Sequence, residues 1–256
     1  MSVELNIDNG LGIVTLNRPE KKNAITMTMR LRLSEVFEQL GDDDTVRAVI
    51  IRGAGTDFCA GMDVQEMGAG GVASSMMRMR RLQRVVRAIA DLRKPAIAAV
   101  RGVCMGAGWS YAMACDFVVA DNTARFAQAF RNIGLCPDAG AVWQLRQLLG
   151  PMRAKEIVYS GRVIDAEEAL KLGLILEKTA PGALMDRAHA IAAGFINGPT
   201  LAIGMAKRQF ELAANSGFDQ FLEAEFSMQP AMSGTDDHAE GLAAFRHRRP
   251  PCFKGS

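Results

Sequence analysis

Histidine is scarce. Only His189, His238 and His247 occur in 256 residues, which makes a histidine-based zinc site improbable. The five cysteines are odd in number and form no CxxC pair, so neither a disulfide framework nor a cysteine metal site is expected. They read as the reduced thiols of a cytoplasmic protein. Basic residues exceed acidic ones by only two, 30 against 28, too small an excess to argue for a nucleic-acid partner. No apolar run reaches the roughly 18 residues that span a bilayer. The start, Met1-Ser2-Val3-Glu4-Leu5, has neither the basic residues nor the apolar stretch of a signal peptide.

What is present suits a globular α/β protein. Hydrophobic residues make up 49% of the chain, enough to bury a large core. Residues 12–17, 46–52, 95–100 and 117–120 are rich in apolar residues and read as strands. Residues 27–40 carry Leu31, Leu33, Val36, Phe37 and Leu40 at helical spacing. Asp165-Ala166-Glu167-Glu168 reads as a capping box, its helix closing near Gly173. Beyond Pro181 the pattern is helical only, over 183–195, 201–214, 218–228 and 238–248. A core over 1–180 and a helical subdomain over 181–256 are therefore expected. The stretch 68–75, Gly-Ala-Gly-Gly-Val-Ala-Ser-Ser, reads as a flexible lid beside a pocket. Leu82, Val85, Val86 and Ile89 predict the inner face of a helix whose methionines, Met76, Met77 and Met79, serve as core or shape a pocket.

Two glycine-rich segments each follow a strand-like run: Phe58-Cys59-Ala60-Gly61-Met62-Asp63-Val64, and Gly102 to Asp116 with Gly106-Ala107-Gly108 at its centre. Small residues there let backbone N–H groups approach a ligand closely. Either segment alone reads as a turn that needs small residues. Together, with Leu16–Ala24, Lys94–Val100 and the ending Ala244–Lys254, they resemble the crotonase (enoyl-CoA hydratase/isomerase) superfamily over the whole chain. The resemblance implies a ββα spiral core with a C-terminal helical oligomerisation subdomain, assembled as a trimer or a dimer of trimers. It also implies an oxyanion hole for an acyl-CoA thioester, with the N–H groups of Met62 and Ala107 as donors. Such a donor is worth roughly 3 kcal/mol to a transition state. Ala107 stands where the family usually has glycine; the donor survives if φ there is negative.

Hydratases of that family place two glutamates by the thioester. Here the matching positions are Ser110 and Phe130, and one acid, Asp138, follows in Gly134-Leu135-Cys136-Pro137-Asp138-Ala139-Gly140. That portion resembles the ring-epoxide isomerases of phenylacetate breakdown, and more loosely the Δ3-Δ2-enoyl-CoA isomerases of fatty acid metabolism. Water addition needs two positioned groups, whereas a 1,3-proton shift needs one. Asp138 is thus expected as a single acid/base, its carboxyl raised by burial near Phe130, Leu135 and Trp143. The competing reading makes it the cap of a helix opening at Ala139. Asp63 and Asp116 are expected to serve structure, and Ser110 to bond its own backbone or a substrate group.

The resemblance places Ala60 near the CoA adenine, Lys22 near its phosphates, and Phe245 and Arg248 at a neighbouring subunit's site. Gly61, Asp63, Val64, Gly106, Ser110 and Phe130 complete the expected substrate-binding set. CoA arrives with the substrate, so no separate cofactor and no metal are expected. Among rivals, a hydratase is disfavoured by Ser110 and Phe130, and an aryl-CoA dehalogenase by the lack of histidine in 64–101. A catalytically silent CoA- or RNA-binding homologue remains, with faint support from the arginines of 78–87.

Overall fold

The computed structural model describes residues 2–67 and 71–256. Its main sheet has six strands in the order β1 (Val3–Asp8), β2 (Leu11–Leu16), β3 (Ala48–Gly53), β4 (Ala96–Val100), β6 (Phe117–Asp121) and β9 (Glu177–Thr179). β1 and β2 form an antiparallel hairpin, and every later neighbour is parallel. A second sheet joins β5 (Val103–Met105), β7 (Arg125–Ala127) and β8 (Ile164–Asp165).

Alternation along the strands divides the core. Val49, Ile51, Ala96, Ala98, Val100, Val118 and Ala120 point into the larger cluster, with α1 (Met27–Asp42), α2 (Val72–Ala90) and α3 (Ala107–Ala114). Ala48, Ile50, Ile97, Ala99 and Val119 point the other way, onto Leu184, Ala188 and Ala192 of α6 (Leu184–Ile196). Strands buried on both faces read as continuous apolar runs, which is why 46–52 and 95–100 stood out. α6 opens the helical tail yet covers the second face of the sheet. α4 (Ala141–Ser160), broken at Gly150-Pro151, and α5 (Ala166–Lys171) precede it; α7 (Thr200–Asn215), α8 (Phe218–Met232) and α9 (Asp236–Arg246) follow. No helix among the described residues is long and apolar enough to cross a membrane.

Three expectations change. Of the stretch 68–75, residues 68–70 lie outside the described residues, and 71–75 are the N-cap and first turn of α2. Leu82, Val85 and Ile89 are buried as expected, but Met76, Met77 and Met79 are exposed and form no core. On α1, Leu31 faces solvent while Met29 and Arg30 are buried.

Lys94, just before β4, is buried and donates from Nζ to the carbonyl oxygens of Leu40 (2.6 Å), Gly41 (3.2 Å) and Asp43 (2.6 Å). It thereby satisfies the end of α1, where carbonyls lack intrahelical partners and the dipole favours a cation. Burial pulls its pKa down, with Asp43 and its neighbours opposing that. Lys94→Met keeps the stem but leaves the carbonyls unpaired, so a loss of about 2–3 kcal/mol in denaturant unfolding is expected.

Candidate active site: two loops joined edge to edge

The first glycine-rich loop lies between two other segments, and its backbone groups are almost all used. Cys59 N donates to Val103 O (2.9 Å) and Met105 N to Cys59 O (2.9 Å), a parallel bridge between the loops. On the opposite side Ala60 N donates to Lys22 O, Ile25 N to Gly61 O and Asp63 N to Ile25 O. Gly61 N donates to the Cys59 sulfur (3.4 Å). Met62 N–H, in the middle, has no acceptor among the described residues. Asn23 fixes the supporting loop: its Nδ2 donates to Ala54 O and Asp57 O, and its Oδ1 accepts from Arg18 N.

The second loop has the same character. Met105 N and Gly106 N are bonded, the latter to Ala127 O, and Ser110 N to Gly106 O. α3 has no side-chain cap among the described residues, which leave Ala107 N–H without an acceptor at the positive end of the helix. The condition set for Ala107 is met, since it opens α3 and the positive φ (+52°) falls on Gly106. The loops nearly touch: a methyl built on Gly61 (φ +99°) would lie 3.0 Å from Met105 O and 3.7 Å from Ala107 N.

Met62 and Ala107 both line a cavity of about 230 Å³, with Ala60, Gly61, Val64, Gly106 and Phe130 of the other expected residues. Met67, Met105, Ala129, Asn132 and Ile133 also line it and were not anticipated as site residues. Lys22 is exposed and adjacent in backbone to Ala60. Asp63 is not on the wall: its carboxylate accepts from Gln65 N (3.0 Å) and Arg18 (3.0 Å), which hold it below the usual range. Asp116 binds Ala96 N and Lys207, also structurally. Ser110 Oγ donates to Gly106 O (3.2 Å) and to Asp138 O (3.4 Å), so it clamps the Asp138 turn to α3. Phe245 and Arg248 are exposed at the end of α9, away from this chain's cavity.

Asp138 does not cap a helix. α4 opens at Ala141 with Gly140 as N-cap and no side-chain cap, and only the Asp138 carbonyl accepts from Ala141 N. Ala139 (φ +51°) and Gly140 (φ +78°) both adopt the left-handed region. The carboxyl Oδ1 is buried without a hydrogen-bond partner among the described residues. Burial raises its pKa to about 6, against the pull of the Arg30 guanidinium. The expected apolar surround is only partly right: Phe130 is buried, but Leu135 and Trp143 are exposed.

Two glycine-rich loops in contact over a small, mostly apolar cavity define a class of protein with a backbone-lined pocket; Asp138, whose turn Ser110 holds to α3, is half-buried and is not among the residues lining that cavity. The match to known proteins gives that class its family. Residues 6–256 match the family model described as enoyl-CoA hydratase/isomerase. The chain is 34% identical over 253 residues to 1,2-epoxyphenylacetyl-CoA isomerase of Escherichia coli (97% of each chain). It is 32% identical over 261 residues to crotonyl-CoA hydratase of Syntrophomonas wolfei (98% of this chain, 97% of that one). The solved enoyl-CoA hydratase of Bacillus anthracis superposes with a TM-score of 0.95 at 28% identity, covering 100% of both chains. The chain belongs to the enoyl-CoA hydratase/isomerase family, and its spiral core is the crotonase fold.

Gly108 tests the contact between the loops. A methyl there would meet Cys59 Cβ and O at 2.6 Å. Helix propensity alone favours alanine by about 1 kcal/mol, whereas overpacking costs roughly 1–3 kcal/mol. Gly108→Ala is expected to lower the melting temperature; an unchanged or higher value would show that the loops are not in tight contact.

Proposed function

We propose that the protein is an acyl-CoA isomerase that moves a double bond, or opens a ring, through a thioester enolate with one carboxylate as acid and base. The observation that carries this reading is the half-buried carboxyl of Asp138, which caps no helix and whose buried Oδ1 has no hydrogen-bond partner among the described residues, with Ser110 and Phe130 where a hydratase would place glutamates. In the double-bond case Asp138 takes the proton from C2 of a 3-enoyl thioester. The electrons move onto the thioester oxygen, which the Met62 and Ala107 N–H groups stabilise. The protonated Asp138 returns the proton to C4 as the double bond settles between C2 and C3. No water is added and none is lost.

CoA recognition is proposed to use Ala60 and Lys22 from this chain, and Phe245 and Arg248 from a neighbouring copy. α8 buries no residue of its own, and Phe210, Phe218 and Phe226 of α7 and α8 are largely exposed. A large exposed apolar surface of this kind supports a homo-oligomer. Hydratase activity is the second reading, supported by relatives such as the crotonyl-CoA hydratase.

Ultraviolet absorbance and mass spectrometry on a 3-enoyl-CoA separate the two. Conjugation without mass gain is expected, falling roughly 10²–10⁴-fold in Asp138→Asn. A gain of water that survives the substitution would reject the reading. Because the base acts as carboxylate, kcat/KM is expected to fall as pH drops through about 6. Stability has the opposite dependence. A carboxyl whose folded pKa is raised binds its proton more tightly in the folded state, so stability declines as pH rises from about 4 to about 6. Asp138→Asn should therefore raise stability at pH above about 7, by about 3 kcal/mol, and change little near pH 4. Thermal melts at both pH values read this directly.

A further inference from the structure

The cavity that Met62 and Ala107 line has a single polar side chain among the described residues of its wall, that of Asn132. The others on that wall are glycine, alanine, valine, isoleucine, methionine and phenylalanine. In a mostly apolar pocket the few polar groups decide which ligand is accepted and how it lies.

Asn132 belongs to the short helical turn Ala129–Ile133, and that turn is anchored through its neighbours. Phe130 is buried with its ring against the second loop, 3.5 Å from where a methyl on Gly106 would lie. Arg131 donates from Nη1 to Tyr159 O. Leu135 N donates to Phe130 O and Gly134 N to Arg131 O, which closes the turn. Asn132 itself is exposed, and its amide makes no hydrogen bond among the described residues. It braces no loop and caps no helix, so both its C=O and its NH2 are available to a ligand in the cavity. A hydrocarbon chain seated there strips water from the amide and returns no hydrogen bond, whereas a hydroxyl or carbonyl group restores one. The amide carries no charge, so it suits a neutral oxygen better than a carboxylate.

We propose that Asn132 sets the acyl specificity of the site, selecting thioesters whose acyl group carries a neutral hydroxyl or carbonyl oxygen over plain hydrocarbon chains of the same length. The proposal rests on the reading that the Met62 and Ala107 N–H groups hold the thioester oxygen, which seats the adjoining acyl atoms in the cavity that Asn132 lines.

The test is calorimetric binding of saturated acyl-CoAs over a series of chain lengths, comparing each straight chain with its hydroxy and oxo counterparts and with free CoA. Saturated ligands have no double bond to move, so specificity is read without turnover. At the matching chain length and oxygen position, the oxygenated ligand is expected to bind about fivefold more tightly than the hydrocarbon. In Asn132→Leu the ratio is expected to fall to about one or below, with the affinity for free CoA unchanged. Asn132→Ser shortens the side chain without adding apolar bulk, and the same loss of preference is expected there. Three results would each overturn the proposal: a ratio near one in the unaltered protein at every length, a ratio that both substitutions leave intact, or an equal loss for free CoA and every acyl-CoA. The last would move the contact of Asn132 from the acyl group to the CoA arm. Failure of the isomerase reading would appear separately, as lack of conjugation with 3-enoyl-CoA.

Discussion

The site depends on the parallel bridge between Cys59 and Cys104. It holds two loops from different turns of the spiral so close that Gly61 and Gly108 have no room for a side chain. Bonds to residues 22–25, 103–105 and 127 occupy the neighbouring backbone groups, leaving Met62 N–H and Ala107 N–H, on two residues of the cavity wall, without an acceptor among the described residues. Donors fixed in this way need no reorganisation when charge develops, which is where most oxyanion stabilisation comes from. The buried Asn23 and Ser110 then have a common purpose: each holds a turn on which this contact rests.

The acid follows a different logic. Asp138 sits on a turn with two successive left-handed residues and is given neither a helix to cap nor a hydrogen bond for Oδ1. Both choices oppose stability. Their effect is a carboxyl whose pKa burial raises to about 6, a value that suits the acid/base role proposed above. Arg30 sets a limit to that rise from inside the core.

Much of this was legible in the amino-acid order because it depends on residue size. Loops in close contact need glycine and alanine, and strands covered on both faces need unbroken apolar runs. Asp63 and Asp116 were readable as structural because acids beside turns usually bond backbone. Other features left no local trace. Arginine is normally a surface residue, so the burial of Arg30 and the outward turn of Leu31 could not be told from spacing. Strands of two or three residues, such as β5, β7 and β8, are too short to show a period. The exposed methionines of α2 look identical in sequence to core methionines. Met67, Asn132 and Ile133 reach the cavity only through tertiary folding. The turn at Ala139 was concealed because alanine gives no sign of a positive φ.

The central claim is that one carboxylate handles the proton twice. The most direct measurement is the fate of deuterium placed at C2 of a 3-enoyl-CoA and turned over in ordinary water. The account predicts a conjugated product that retains part of the label at C4, delivered by the same Asp138 that removed it. A product that has gained water and carries no label at C4 would contradict it.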